Sequence, residues 1–219
     1  MGSTDLNFAP VWRAGPQIFD AMLVTLAVAG ASMLLAFGIG LAGALLASNG
    51  GRAASRAVTV YVEAMRNSPS LVKLYFIFFG LPAVGLFPTP YWAGVTALAI
   101  HNGAYMTEII KGALASVPRQ QIQAARAVGM SWWQTQSTVV LPQALRSGLP
   151  PLTNTWVEMI KDTSLTSAVA VQELTFLMTS LISLTLRSVE VLLVFSGIYM
   201  TLTLGFALLS KAIERRMRW

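Results

Sequence analysis

Cysteine is absent from this chain of 219 residues, and histidine occurs once, at His101. No disulfide framework, thiol nucleophile or Cys-based zinc site can be built, and a His-rich metal site is excluded as well. Charge is scarce too: Asp, Glu, Lys and Arg make up 11% of the residues, whereas 55% are hydrophobic. Soluble domains carry about 25% charged residues, so the composition excludes an ordinary cytosolic globular enzyme and a disordered chain. The phosphate loop Gly-x-x-x-x-Gly-Lys-[Ser/Thr], the zinc motif His-Glu-x-x-His, the nucleophile elbow Gly-x-Ser-x-Gly and the dinucleotide glycine fingerprint are all missing. Any energy source is therefore a gradient or another chain, and no cofactor is expected in this one.

What the chain does have is long uncharged runs. None of the residues from Ala21 to Gly51 is charged, nor is any from Val191 to Ser210. Each run meets the roughly 20 residues that a helix needs to cross a ~30 Å hydrocarbon core. The expectation is an all-α polytopic membrane protein with about five transmembrane helices. Span one covers Phe19 to Ala47, and its small residues Gly30, Ala31, Gly38, Gly40 and Gly43 suit close helix packing in lipid. Span two runs from Val58 to Phe79 and is broken near Pro69, which removes a backbone donor. Span three is Tyr91 to Ile110. Span four starts near Leu149 and extends, broken, through Leu165 to Leu184. Span five is Val189 to Leu209. Met1 to Asp20 carries Asp5, Arg13 and Asp20 and does not read as a cleavable signal. No internal repeat or linker divides the chain, so residues 1–219 read as one membrane domain.

The net charge is +6, but most basic residues sit at the ends of apolar runs, where they set orientation rather than bind nucleic acid. With the N-terminus outside, the inner segments hold Arg52, Arg56, Lys111, Arg119, Arg126, Arg146, Lys211, Arg215, Arg216 and Arg218; the outer ones hold mainly Arg13 and Arg187. That asymmetry predicts an outside N-terminus and a cytoplasmic C-terminus. Ala127 to Leu145 is uncharged but too polar for lipid, with Gln134, Gln136, Ser137, Thr138 and Gln143. Residues 117–147 therefore read as a cytoplasmic helical hairpin. Pro118 suits its helix start and Gly129 its stop. Ala124, Ala125 and Ala127 leave its backbone open to close approach. Val139 and Leu141 serve as apolar anchors, and Pro142 ends the second helix.

Ionisable groups inside spans are costly and face a cavity or a partner. In span four, Glu158 reaches Lys161 at i, i+3 and Asp162 at i, i+4. They form either a self-neutralised cluster that holds helices together or the polar lining of a pathway. Glu63 and Arg66 share a face of span two, as a local ion pair or as pore lining. Glu108 and Lys111 read as an interfacial pair. His101 reads as packed or hydrogen-bonded, and Tyr75, Phe76, Phe78 and Phe79 as packing.

The hairpin pattern Gln123-Ala124-Ala125, three residues, Gly129, nine residues, Val139-x-Leu141-Pro142 resembles the "EAA" loop of bacterial ABC-importer membrane subunits. The spacing matches throughout, with Gln123 in place of glutamate and Val139 in place of isoleucine. Glu63-x-x-Arg66-x-x-Pro69, Phe79-Gly80-Leu81-Pro82, Gly103-Ala104-Tyr105-x-x-Glu108-Ile109, Leu141-Pro142-Gln143-Ala144 and Lys161-Asp162-Thr163-Ser164-Leu165 resemble the polar-amino-acid permease branch. The resemblance implies the type I importer fold in a bacterial inner membrane, with residues 119–129 as the coupling helix. Its ATPase-coupling residues would be Gln123, Ala124, Ala125, Arg126, Gly129, Leu141 and Pro142. Implied partners are a cytoplasmic ATPase dimer carrying ATP and Mg, a second permease subunit (identical or a sister), and a periplasmic or lipid-anchored binding protein that delivers a polar amino acid. Membrane lipid surrounds the spans. A transporter or channel working without ATP would show internal symmetry and no docking hairpin. An intramembrane enzyme would need a nucleophile with its base, or metal ligands. A purely structural subunit would not need charges within spans two and four.

Overall fold

Apolar runs this long can satisfy their backbone in lipid only as helices, and helices are what form. The computed structural model describes residues 6–216; Asp5 and Arg218, cited above for the leader and the basic tail, lie outside the described residues. The described elements are α1 (Ala9–Arg13), α2 (Gly15–Asn49), α3 (Gly51–Arg66), α4 (Ser70–Tyr75), α5 (Pro90–Ala115), α6 (Arg119–Ala127), α7 (Trp132–Thr135), α8 (Leu141–Asp162), α9 (Leu174–Thr185) and α10 (Ser188–Arg216). Stretches of π-helix follow α4 (Phe76–Gly80) and α7 (Gln136–Val140), and 3-10 turns cover Leu81–Val84 and Thr163–Val169.

Two of these helices, α2 and α10, are long and apolar enough to cross a membrane singly. The bent pair Trp132–Val169 and Leu174–Thr185 passes as a third crossing. Span two breaks as Pro69 predicts: Pro69 is extended (φ −63°, ψ 138°) and α3 stops at Arg66. The hairpin differs from the sequence reading at its second helix. Pro142 does not end a helix there but lies in the first turn of α8, which runs on to Asp162. The helical run is continuous from Trp132 through the π-turn into α8, and the wider π-turn just before Pro142 leaves room for its ring. The same π-turn moves the anchor by one residue, so that Val140 is buried while Leu141 is exposed.

Contacts divide the chain into two compact units. One comprises the residues up to Met33, Pro69–Leu98 and Glu158–Phe206; the other comprises Leu34–Ser68, Ala99–Val157 and the residues from Ala207 onward. The first has two apolar clusters. Val28, Leu74, Ala93, Val95, Leu98 and Val169 form one; Val11, Ala21, Leu174, Leu181, Val191 and Phe195 form the other. In the second unit, close backbone approach organises the packing. A Cβ at Gly40 would lie 2.5 Å from Met106 Cβ, one at Gly43 would lie 2.6 Å from Thr107 Oγ1, and one at Gly103 would lie 2.7 Å from Ile39 Cγ2. Lipid tails are as apolar as leucine, so this van der Waals fit, not transfer from water, joins α2 to α5. Gly30 and Gly38, read from sequence as suited to close packing like Gly40 and Gly43, have nothing within 4 Å of such a Cβ.

The difference gives a paired test. Gly40→Ala forces backbone or Met106 to shift and lowers stability by about 1–3 kcal/mol. Gly38→Ala is neutral or gains up to about 1 kcal/mol of helix preference. Thermal unfolding of the two variants in detergent reads the contrast.

Candidate functional site

The hairpin after α5 is built from local capping chemistry. Pro118 is extended (φ −59°, ψ 130°) and starts α6. The far end of α6 closes with a left-handed glycine: Gly129 has φ +86°, its amide donates to Arg126 O at 3.0 Å, and the Met130 amide donates to Ala125 O at 3.1 Å. This paired geometry is the Schellman stop. Ser131 then opens α7 with a reciprocal capping box, Ser131 N–H donating to Gln134 Oε1 at 2.7 Å and Gln134 N–H to Ser131 Oγ at 3.3 Å.

One side of α6 is seated and the other is bare. Ala125 is buried, and Ile122 packs on Val117, Val140 and Ala144. Gln123, Ala124, Arg126, Ala127 and Gly129 are exposed, and Val128 is 79% exposed. Of the three alanines expected on the approachable face, Ala125 therefore points inward. Among the described residues the Gln123 side chain makes no hydrogen bond. Trp132 and Trp133, which sequence reasoning passed over, stand exposed edge to face with centroids 4.8 Å apart.

A second constellation surrounds the break after α3. The Arg66 guanidinium lies 5.1 Å from the centroid of the Tyr105 ring, a cation–π distance. Tyr105 meets His101 edge on at 5.2 Å, and His101 Nδ1 donates to Met65 O at 3.1 Å. Tyr61 donates to Ile100 O at 2.7 Å. Glu63 and Arg66 are both exposed, and among the described residues no ion pair joins them. The local-pair reading is thus replaced by an arginine laid on an aromatic ring. Tyr105 and His101 sit four residues apart on α5; that spacing was legible, but their pairing with α3 was not.

On α8, Lys161 Nζ donates to Glu158 Oε1 at 2.7 Å, and both side chains are largely exposed (49% and 63%). Asp162 follows, half-buried, at the end of the helix. Glu108 and Lys111 pair at 2.7 Å. The carboxylate that the structure buries completely is Glu173, which the sequence did not single out. It caps α9 by accepting the Phe176 amide at 2.8 Å, and its other oxygen accepts the Tyr199 hydroxyl at 2.7 Å. A cavity of ≈ 260 Å³ is lined by Gln17, Asp20, Val24, Gln172, Phe176 and Ser180 among others, and by none of the sequence candidates. Among the described residues no group of three or more His, Cys, Asp or Glu gathers around a metal-sized space.

Residues 35–219 match the family described as binding-protein-dependent transport system inner membrane component. The chain belongs to this family. The permease is 34% identical over 214 residues to the glutamine transport system permease protein GlnP of Escherichia coli, covering 97% of this chain and 98% of that one. It is 37% identical over 198 residues to the nopaline transport system permease protein NocM of Agrobacterium fabrum, covering 86% and 82%. Its fold matches a chain from the crystal structure of an amino acid ABC transporter with histidines, with a TM-score of 0.90, 30% identity and coverage of 97% and 100%. It is therefore a multi-pass inner-membrane permease subunit of an ABC importer with the type I fold, and not an enzyme. The family implies a separate ATPase and a binding protein as partners.

The glycine stop makes a local prediction. Gly129→Val places a β-branched residue at φ +86°, a true outlier position, and loosens the turn by about 1–3 kcal/mol. Hydrogen exchange at residue 129 and Met130 accelerates at least about fivefold, while the amides of α5 keep their protection.

Proposed function

We propose that the permease moves a polar amino acid inward by alternating access, and that α6 is the coupling helix on which the ATPase docks. The observation that carries this reading is the bare, small-residue side of α6. Gln123, Ala124, Arg126 and Gly129 present it, Ala125 is seated beneath it, and Leu141 and Pro142 open the helix that follows. Nine residues are too few for a helix to persist alone in water. This helix is held by its stop, by Pro118 and by Ile122 and Ala125, and it offers backbone-close contact to a partner surface. ATP and Mg act on that partner. With Gln123 in place of glutamate, recognition there rests on hydrogen bonding rather than on an ion pair.

The substrate reading rests on the helix break. Arg66 lies ten residues beyond Arg56, about 15 Å along a helix axis, or roughly half of a 30 Å core. Discontinuous helices at mid-membrane are where transporters place polar substrate sites. The Arg66 guanidinium suits a carboxylate, and Glu63, one turn away with its Cβ about 5–6 Å off, suits an ammonium. A free amino acid carries both groups. Glu158, Lys161 and Asp162 are a second candidate lining on α8.

We further place the N-terminus outside and the C-terminus in the cytoplasm, with five crossings within one permease domain over residues 1–219. That topology puts residues 117–147 on the ATPase side. A second permease subunit, identical or a sister chain, completes the pathway, and a periplasmic or lipid-anchored binding protein delivers the substrate. Closure of the ATPase pair displaces α6 and switches the access side.

Two measurements test the reading. Ala124→Trp fills the close-approach surface with a bulky ring; the variant keeps its unfolding temperature but loses at least about 90% of a co-expressed ATPase in detergent pull-down, a tenfold change worth ~1.4 kcal/mol. Full recovery of the ATPase with this variant would exclude α6 as the docking helix. For the substrate, ATP hydrolysis by the assembled complex is followed against the standard amino acids and opines. A polar member stimulates it, and Arg66→Gln weakens that stimulation at least about tenfold, on the scale of a charged hydrogen bond. Unchanged stimulation in Arg66→Gln would remove Arg66 from the pathway.

A further inference from the structure

We propose that Gln143 is a positioning residue for coupling: its side-chain amide fastens α6 to the first turn of α8, so that the two helices move as one lever. The inference rests on the reading of α6 as the ATPase-docking helix and extends it to how the push is carried onward.

The Gln143 amide spends both of its hydrogens at this joint. Nε2 donates to Gln121 Oε1, near the middle of α6, at 2.6 Å, and to Val139 O, in the π-turn, at 2.8 Å. Nothing in α6 itself demands this partner, because Gln121 is exposed and could bond to water. An exposed hydrogen bond of this kind adds little net stability, too little to make the clasp a prop of the fold. Its value lies in geometry.

Without the clasp, α6 is a nine-residue helix between two non-helical joints, residues 116–118 and 128–131. Its seat is narrow: Ala125 has one methyl to bury, and Ile122 is only half-buried. Such a helix can roll about its own axis when pushed. The clasp blocks that roll. A second polar link, Ser116 Oγ to Ser147 Oγ at 2.9 Å, holds the start of the hairpin to the next turn of α8. Together, Val140, Gln143, Ala144 and Ser147 mark positions i, i+3, i+4 and i+7, one stripe of a helix. Two members of the stripe bury apolar surface against the α5–α6 connection, and two fasten it by hydrogen bonds. From Leu141 the same helix runs to Asp162 with Pro150 and Pro151 inside it, so a displacement entering at Gln121 passes to the segment of α8 ahead of the two prolines. The Gln121 and Gln143 pairing couples a residue outside the family-like motif to one inside it, which gives the motif glutamine a physical task.

The absence of cysteine makes the test direct. Spin labels on Gln120→Cys and Asn154→Cys, both exposed, report the α6–α8 distance in the permease co-purified with its ATPase, with and without ATP and vanadate. The parent pair gives one narrow distribution that is unchanged by nucleotide. Gln143→Leu keeps ATPase recovery within about twofold but gives a broadened or shifted distribution once nucleotide is trapped, and the coupled variant loses at least about fivefold of its binding-protein-stimulated ATP hydrolysis, the scale of one hydrogen bond. Gln121→Leu, at an exposed position, gives the same result and carries the test if Gln143→Leu does not fold. The double variant Gln121→Glu with Gln143→Lys rebuilds the clasp as an ion pair and restores both readings. A parent distribution that itself broadens with nucleotide, or leucine variants as narrow and as active as the parent, overturns the proposal. Failure of the parent permease to retain the ATPase overturns instead the docking role of α6.

Discussion

No water reaches the backbone inside a bilayer, so each interruption of a spanning helix has to find its hydrogen-bond partners within the protein. The rest of this permease is arranged around that constraint. At the break after α3, the Met65 carbonyl is met by His101. At the break before α9, the Leu174 amide is met by Thr25 Oγ1 at 3.1 Å and the Phe176 amide by Glu173. Glu173 is fully buried. Two donors, an amide at a helix N-terminus and the Tyr199 hydroxyl, converge on its carboxyl group.

Charged side chains also gather at the breaks. A helix that ends within the membrane exposes backbone polarity, and polarity there attracts the charges that a bare helix would exclude. Arg66 closes the last turn of α3, where a cation is favoured by the helix dipole, and its flat guanidinium rests on Tyr105. Among the described residues no ion pair joins it to a carboxylate. Helix association follows a different rule. The glycines at 40, 43 and 103 bring α2 and α5 into close contact, and Ser32 and Tyr91 add hydrogen bonds between the same two helices.

On the hairpin of residues 117–147 the logic changes. Local capping, not burial, fixes the chain: a Schellman stop at Gly129 and a capping box at Ser131 each satisfy amides and carbonyls that a short helix cannot. The structure can then leave the outer side of α6 empty. The π-turn at residues 136–140 belongs to the same economy, since it lets Pro142 enter a helix that continues instead of ending there.

The sequence alone determined the class of molecule, because long uncharged runs allow no backbone solution but helices in lipid. It also determined the break at Pro69 and the turn at Gly129, since ring closure and left-handed φ are local properties of single residues. Pro142 was misread by the same local rule: whether a proline ends a helix or is carried within one depends on the turn before it. Which glycines of span one pack and which face outward, where Arg66 finds its ring, and how Glu173 is reconciled with burial were decided only by the tertiary structure. Those outcomes depend on neighbours distant in sequence, and the contacts that fix them, a few ångströms across, are set when helices meet.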